Sequence, residues 1–135
     1  MKFKFLEHTA DVKFQAFGKS LEECFVNCTL AMKETVCGKL KVQGEIKKKI
    51  SVRGKDNESL LYNFLEEFLF LLDAEDFLIG GIGELKIQGG KLTATVLGGK
   101  AEDYKFTNSV KAVTYNEMFV KRDGKKWVAQ VVLDV

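Results

Sequence analysis

The chain predicts an α+β fold in which two helices pack on one or more mostly antiparallel β-sheets. Three observations carry this. Two segments, residues 20–36 and 57–72, repeat apolar side chains at helical spacing. Most of the remaining chain alternates apolar and polar residues with a period of two. The alternating runs are joined at Gly89-Gly90 and Asp123-Gly124, tight-turn pairs that connect antiparallel neighbours.

Taken in order, Lys2 to Leu6 alternates as a half-buried strand, and Val12 to Phe17 alternates again until Gly18 ends it. Ser20 then caps a helix, with Glu23 placed to complete a capping box. Leu21, Phe25, Cys28, Met32 and Val36 form its packing face, while Glu22, Lys33 and Glu34 stay in water. From Lys39 to Arg53 period two returns, as two short strands or one long bent one broken near Gly44. The trio Lys47-Lys48-Lys49 is the most basic spot in the chain and reads as a solvated, protected sheet edge rather than a phosphate site.

Asp56 or Asn57 caps the second helix. Its stripe of Leu60, Leu61, Phe64, Leu65, Phe68, Leu69, Leu71 and Leu72 is wide enough to be covered on two sides, which makes it the central helix of the core. Asp73, Glu75 and Asp76 crowd its C-terminal end, where the macrodipole disfavours negative charge; a solvated end screens that penalty. Phe77 to Val96 reads as β structure, with Gly80-Gly81-Ile82-Gly83 as a flexible stretch lacking the lysine and hydroxyl residue of a phosphate-binding loop. Leu85–Gln88 and Leu92–Val96 form a hairpin, and Gly98-Gly99 opens a polar loop to about Lys105. Ser109 to Tyr115, Met118 to Val120 and Lys126 to Leu133 read as the closing strands.

A chain of 135 residues is most simply one domain, and 46% hydrophobic with 30% charged residues is globular composition rather than disorder. The net charge of +2 is too even for bulk electrostatics to imply nucleic-acid binding, so a charged partner would need a local patch. Three cysteines without an export leader indicate free thiols in a reducing, cytoplasmic setting. Cys24 and Cys28 are one helical turn apart, but without a second Cys/His pair they read as packing rather than zinc ligands. The most apolar window, Leu60 to Leu72, is too short to span a bilayer.

The chemistry-bearing residues lie at the two ends. His8-Thr9-Ala10-Asp11-Val12 joins the first two strands, and Val131-Val132-Leu133-Asp134-Val135 closes the chain. If the strands bearing them are neighbours, Asp11, Asp134 and the Val135 carboxylate form an oxygen-rich cluster suited to a hard divalent cation. Asp11 taken alone serves equally well as a strand-end turn former. His8, the only histidine, is either a structural hydrogen-bonder or a base or metal ligand beside Asp11. No nucleophile with an adjacent base is visible, so no catalytic residue is assigned.

Several segments together resemble the archease family along nearly the whole chain. They are His8-Thr9-Ala10-Asp11-Val12, Glu58 to Leu72, Val110-Lys111-Ala112-Val113-Thr114-Tyr115, and Val132-Leu133-Asp134-Val135. The resemblance implies an archease-like domain and a protein cofactor of the RtcB-type RNA ligase of tRNA splicing and RNA repair, promoting guanylylation and repeated turnover of that ligase. Contact with RNA would be indirect or weak. It also implies a divalent-cation site, with calcium the expected ion and magnesium or manganese alternatives, whose ligands fall on Asp11, Asp134 and Val135, with His8 beside them. The alternatives are a chaperone-like modulator of tRNA-modifying enzymes and a small metal-dependent hydrolase. Asn116 departs from the family pattern, which has histidine there; an amide cannot titrate near neutrality.

Overall fold

The computed structural model describes all residues, 1–135. Alternating segments become β1 (Phe3–Leu6), β2 (Val12–Gly18), β3 (Ile46–Arg53), β4 (Phe77–Gln88), β5 (Lys91–Lys100), β6 (Ala112–Asp123) and β7 (Lys126–Asp134). The helical-period segments become α1 (Leu21–Cys37) and α2 (Asn57–Glu75). The strands form a four-stranded sheet, β1-β2-β7-β6, and a three-stranded sheet, β3-β5-β4. Every pairing is antiparallel.

Each helix contacts strands of both sheets, α1 through β2 and β4, α2 through β6, β4 and β3. Phe14, Phe25, Phe64, Leu61, Leu92 and Leu133 are therefore removed from water in one continuous core. At about 1.5–3 kcal/mol per fully buried large side chain, that core is the main favourable contribution to folding. The wide stripe of α2 is buried as expected, except Leu72 at its edge.

Caps follow the sequence with one difference. Asp56 accepts from the Ser59 N–H at 2.7 Å, and Ser59 Oγ accepts from the Asp56 N–H, which completes a capping box. Ser20 accepts from the Glu23 N–H at 3.1 Å, but the capping at α1 is this single bond rather than the expected box. Glu58 and Glu66 have another role. Their carboxylates accept the backbone N–H groups of Val120 and Val113, at 2.9 and 2.8 Å, along the open edge of β6. A charged acceptor on an edge strand satisfies the groups through which sheets otherwise aggregate.

Four stretches differ from the expectation. Residues 39–45 form no strand: Leu40 O accepts from Lys33 Nζ and Gln43 N–H donates to the Tyr104 hydroxyl, so side chains satisfy this backbone. Gly98 and Gly99 lie inside β5 instead of opening a loop. A Cβ at Gly98 would stand 2.2 Å from Leu78 O, so glycine there permits close strand approach. Gly80 to Gly83 belong to β4, which shifts register twice as it passes them. Ser109 to Lys111 precede β6, which runs unbroken to Asp123 through an irregularity between Thr114 and Phe119.

Both helices start against a glycine at the end of the preceding strand. A Cβ at Gly18 would meet Cys24 N at 2.3 Å, and one at Gly54 would meet Leu60 N at 2.4 Å. Gly18→Ala must push backbone away from backbone, so urea unfolding of the variant should show a loss of about 1–3 kcal/mol. An unchanged midpoint would mean this junction is looser than described.

Candidate metal centre

β2 and β7 pair with Val12 opposite Leu133 and Phe14 opposite Val131. Continued by one residue, that register sets Asp11, immediately before β2, across from Asp134, the last residue of β7. Directly opposed residues of an antiparallel pair hold their Cβ atoms about 4.5–5.5 Å apart. The Lys111 N–H donates to Asp134 O at 2.7 Å and fixes the end of β7 to the segment entering β6. Val135, half-buried, follows directly.

His8 lies beside this pair. Its Nε2 is 2.9 Å from Glu117 Oε2, and Lys13 Nζ donates to Glu117 Oε1 at 3.1 Å. Because Nε2 faces a carboxylate it carries the ring proton, which in the neutral imidazole leaves a lone pair on Nδ1. Nδ1 is buried without a hydrogen-bond partner and stands 3.7 Å from Asp11 Oδ2, beyond hydrogen-bond reach. A ring lone pair and a carboxylate oxygen facing each other across that gap suit a cation shared between them. A carboxylate orienting an imidazole through its far nitrogen is also the usual support of a histidine near a metal.

Local strain collects here too. Three non-glycine residues have positive φ: Ala10 at 67°, Asp76 at 53° and Glu117 at 54°. Asp76 is the C-cap of α2, whereas Ala10 and Glu117 flank the His8–Asp11 pair from two sides. A left-handed residue with a Cβ costs about 1–2 kcal/mol, so the surrounding structure holds both in place.

Neither Asp134 nor the Val135 carboxylate has a cationic side chain within 4.0 Å. Hard oxygens left without a counter-ion fit Ca²⁺, Mg²⁺ or Mn²⁺. No three His, Cys, Asp or Glu side chains converge on one point, so a cation here would need the Val135 carboxylate, main-chain oxygens or water beside the two aspartates. A depression of about 320 Å³ adjoins Asp11, bordered by Glu34, Thr35 and Asn108.

Other sequence candidates lie elsewhere. Cys24 and Cys28 are buried in the core, with Cys24 Sγ donating to Ala16 O, and burial pushes the Cys28 thiol well up. No third ligand joins them. Asn116 is exposed next to Glu117, and it is Glu117 that touches His8. Glu117 and Lys13 had no sequence signal, since their meeting depends on the irregularity in β6.

Residues 3–135 match the model of the Archease protein family (MTH1598/TM1083). The chain belongs to the archease family. Protein archease of Methanosarcina barkeri is 35% identical to this family member over 140 residues, covering 99% of this chain and 96% of that one. Protein archease of Pyrococcus furiosus is 39% identical, covering 96% and 95%. The solution structure of Methanobacterium thermoautotrophicum protein 1598 superposes with a TM-score of 0.84 at 33% identity, covering 99% of both chains. The crystal structure of an archease from Thermotoga maritima, described as a possible chaperone, has the same fold, with a TM-score of 0.66 at 22% identity over 98% and 96% of the two chains.

The Lys13 hydrogen bond, then that of His8, holds the Glu117 carboxyl below its ordinary value of 4.5. Its contribution to stability is thus present above that value and lost as pH falls through the depressed one. Carbon-detected NMR titration should show Lys13→Gln moving the Glu117 midpoint upward; an unmoved midpoint would contradict the contact.

Proposed function

We propose that this archease-family chain is an accessory, activating factor of an RtcB-type RNA ligase in tRNA splicing and RNA repair. It would promote ligase guanylylation and multiple turnover through a divalent cation held by Asp11, Asp134 and the Val135 carboxylate. The observation that carries the reading is the β2–β7 register, which sets Asp11 and Asp134, far apart in sequence, across from each other with no lysine or arginine within 4.0 Å of either carboxylate. A bound cation would supply charge neutralisation at the phosphates during nucleotidyl transfer.

The chain's own residues then have defined tasks. Asp11 and Asp134 offer carboxylate oxygens, and Val135 offers a third at the rim. His8, oriented by Glu117, stands beside Asp11 with Nδ1 3.7 Å from its carboxylate, and Lys13 keeps Glu117 ionised. An incomplete donor set suits a site that is finished by a partner's groups. Calcium is the expected ion, with magnesium or manganese acceptable to the same oxygens.

A second reading has its own support. The Thermotoga maritima relative is described as a possible chaperone, which favours a chaperone-like modulator of tRNA-modifying enzymes. Both readings place the working partner outside this chain, and no helix here is long and apolar enough to cross a membrane. Co-purification separates them by the enzyme recovered. Phosphoester hydrolysis by the isolated protein would favour the metal-dependent hydrolase instead.

A ligation time course with limiting ligase, GTP and RNA tests the first reading. Added protein should turn a single round into repeated rounds, and Asp11→Ala or Asp134→Ala should abolish that stimulation while thermal unfolding stays cooperative. Stimulation that survives both substitutions would refute the role of the cation site.

A further inference from the structure

The three-stranded sheet has one face toward the helices and one toward solvent. Ile50, Leu92, Ala94 and Val96 fill the inner face, and all are buried. The residues between them point the other way. Register pairs Lys49 with Thr95, Ser51 with Thr93 and Arg53 with Lys91 across β3 and β5, and Lys86 with Thr93 across β4 and β5. The lysine trio is thereby split: Lys48 turns inward to Glu75 at the end of α2, while Lys47 and Lys49 stay outside.

Lys47, Lys49, Arg53, Lys86 and Lys91 are all exposed on this outer face. The only carboxylate among them, Glu84, is engaged by Lys86 at 3.3 Å. Five cations against one acid exceed the +2 of the entire chain, so the rest of the protein is net acidic and the charge is segregated. Arg53 stands directly opposite Lys91 with no acid assigned to either, an arrangement that destabilises a sheet by itself. Between the cations, Lys49, Ser51, Lys86, Lys91, Thr93 and Thr95 border a shallow depression of about 370 Å³.

We infer that this outer face of β3, β5 and β4 binds the phosphodiester backbone of a nucleic acid without reading its sequence. Phosphate oxygens take up lysine, arginine and hydroxyl donors and need nothing else from a protein surface. A protein partner would instead be anchored by aromatic or aliphatic side chains at the centre of the contact. The exposed large apolar residues of the chain, Met1, Phe5, Leu40, Phe70, Phe106 and Tyr115, all come from outside these three strands, and Phe70, on α2, reaches only the Arg53 end, where the two border one depression. The absence of an exposed aromatic on the strands also leaves no platform on which bases could stack, so contact is confined to the backbone. This surface is on the other sheet from Asp11 and Asp134, and the inference stands or falls separately from the cation site.

Fluorescence anisotropy of a labelled oligouridine RNA, read across a salt series, tests it. Wild type should bind weakly, with log K falling linearly against log salt. The variant Lys49→Gln/Lys86→Gln/Lys91→Gln should lose at least about tenfold in affinity at low salt, and its slope should flatten by about 2, from roughly 0.7 per charge removed. These side chains are exposed, so the variant should melt as wild type does, and Lys4→Gln/Lys126→Gln on the other sheet should bind normally. Binding of polyglutamate with no binding of RNA would reassign the face to an acidic protein and overturn the inference. RNA binding unchanged in the triple variant, or absent from wild type at low salt, would overturn it as well.

Discussion

The pairing of β2 with β7 is the constraint on which the rest depends. These are the two inner strands of the four-stranded sheet, so each has a ladder on both sides. Their inner faces, Phe14 and Ala16 with Val131, Ala129 and Leu133, are completely removed from water against the core. Because side chains alternate, a slip of one residue would turn the apolar row of β2 outward and bring Lys13 and Gln15 inward. The register is therefore fixed by burial. The same register decides that the aspartates at the strand ends oppose each other. The candidate site, drawn from the segment before β2 and the end of β7, thus rests on two strands whose facing side chains are buried.

Two surfaces of opposite charge result, one on each sheet. The first is an acidic edge with strained backbone at Ala10 and Glu117 and a buried imidazole nitrogen lacking a partner. The second is a solvent-facing lattice of cations with a like-charge pair directly opposed. Both are locally unfavourable arrangements carried by an otherwise well-satisfied fold. The helices between the sheets make this possible: α2 caps itself, accepts the open edge of β6 through Glu58 and Glu66, and contributes most of its length to the core.

How much was legible in the sequence follows from the range of the interactions. Helices and hairpins were readable because their signals are local: apolar spacing over a few turns, a capping residue, a glycine pair. The loop at residues 39–45 alternates like a strand, yet its backbone finds Tyr104 and Lys33, partners that no local pattern announces. Gly98 looked like a turn because glycine often is one, whereas here it makes room for Leu78 and Phe77. Asp11 and Asp134 could be singled out as acids at two strand ends and through the family resemblance, but their adjacency required the register. Glu117 was invisible, since an irregularity within β6 brings it to His8. Lys47 and Lys49 read as a protected edge because Lys86 and Lys91, which complete their face, come from a hairpin far along the chain.

Paramagnetic broadening by Mn²⁺ tests most directly whether Asp11 and Asp134 share a cation. In an amide-resolved NMR spectrum, substoichiometric Mn²⁺ should broaden residues 8–12 and 132–135 together, and Asp11→Asn should abolish the effect at both ends at once. Broadening confined to one end, or centred on an unrelated acidic stretch such as residues 73–76, would contradict the account.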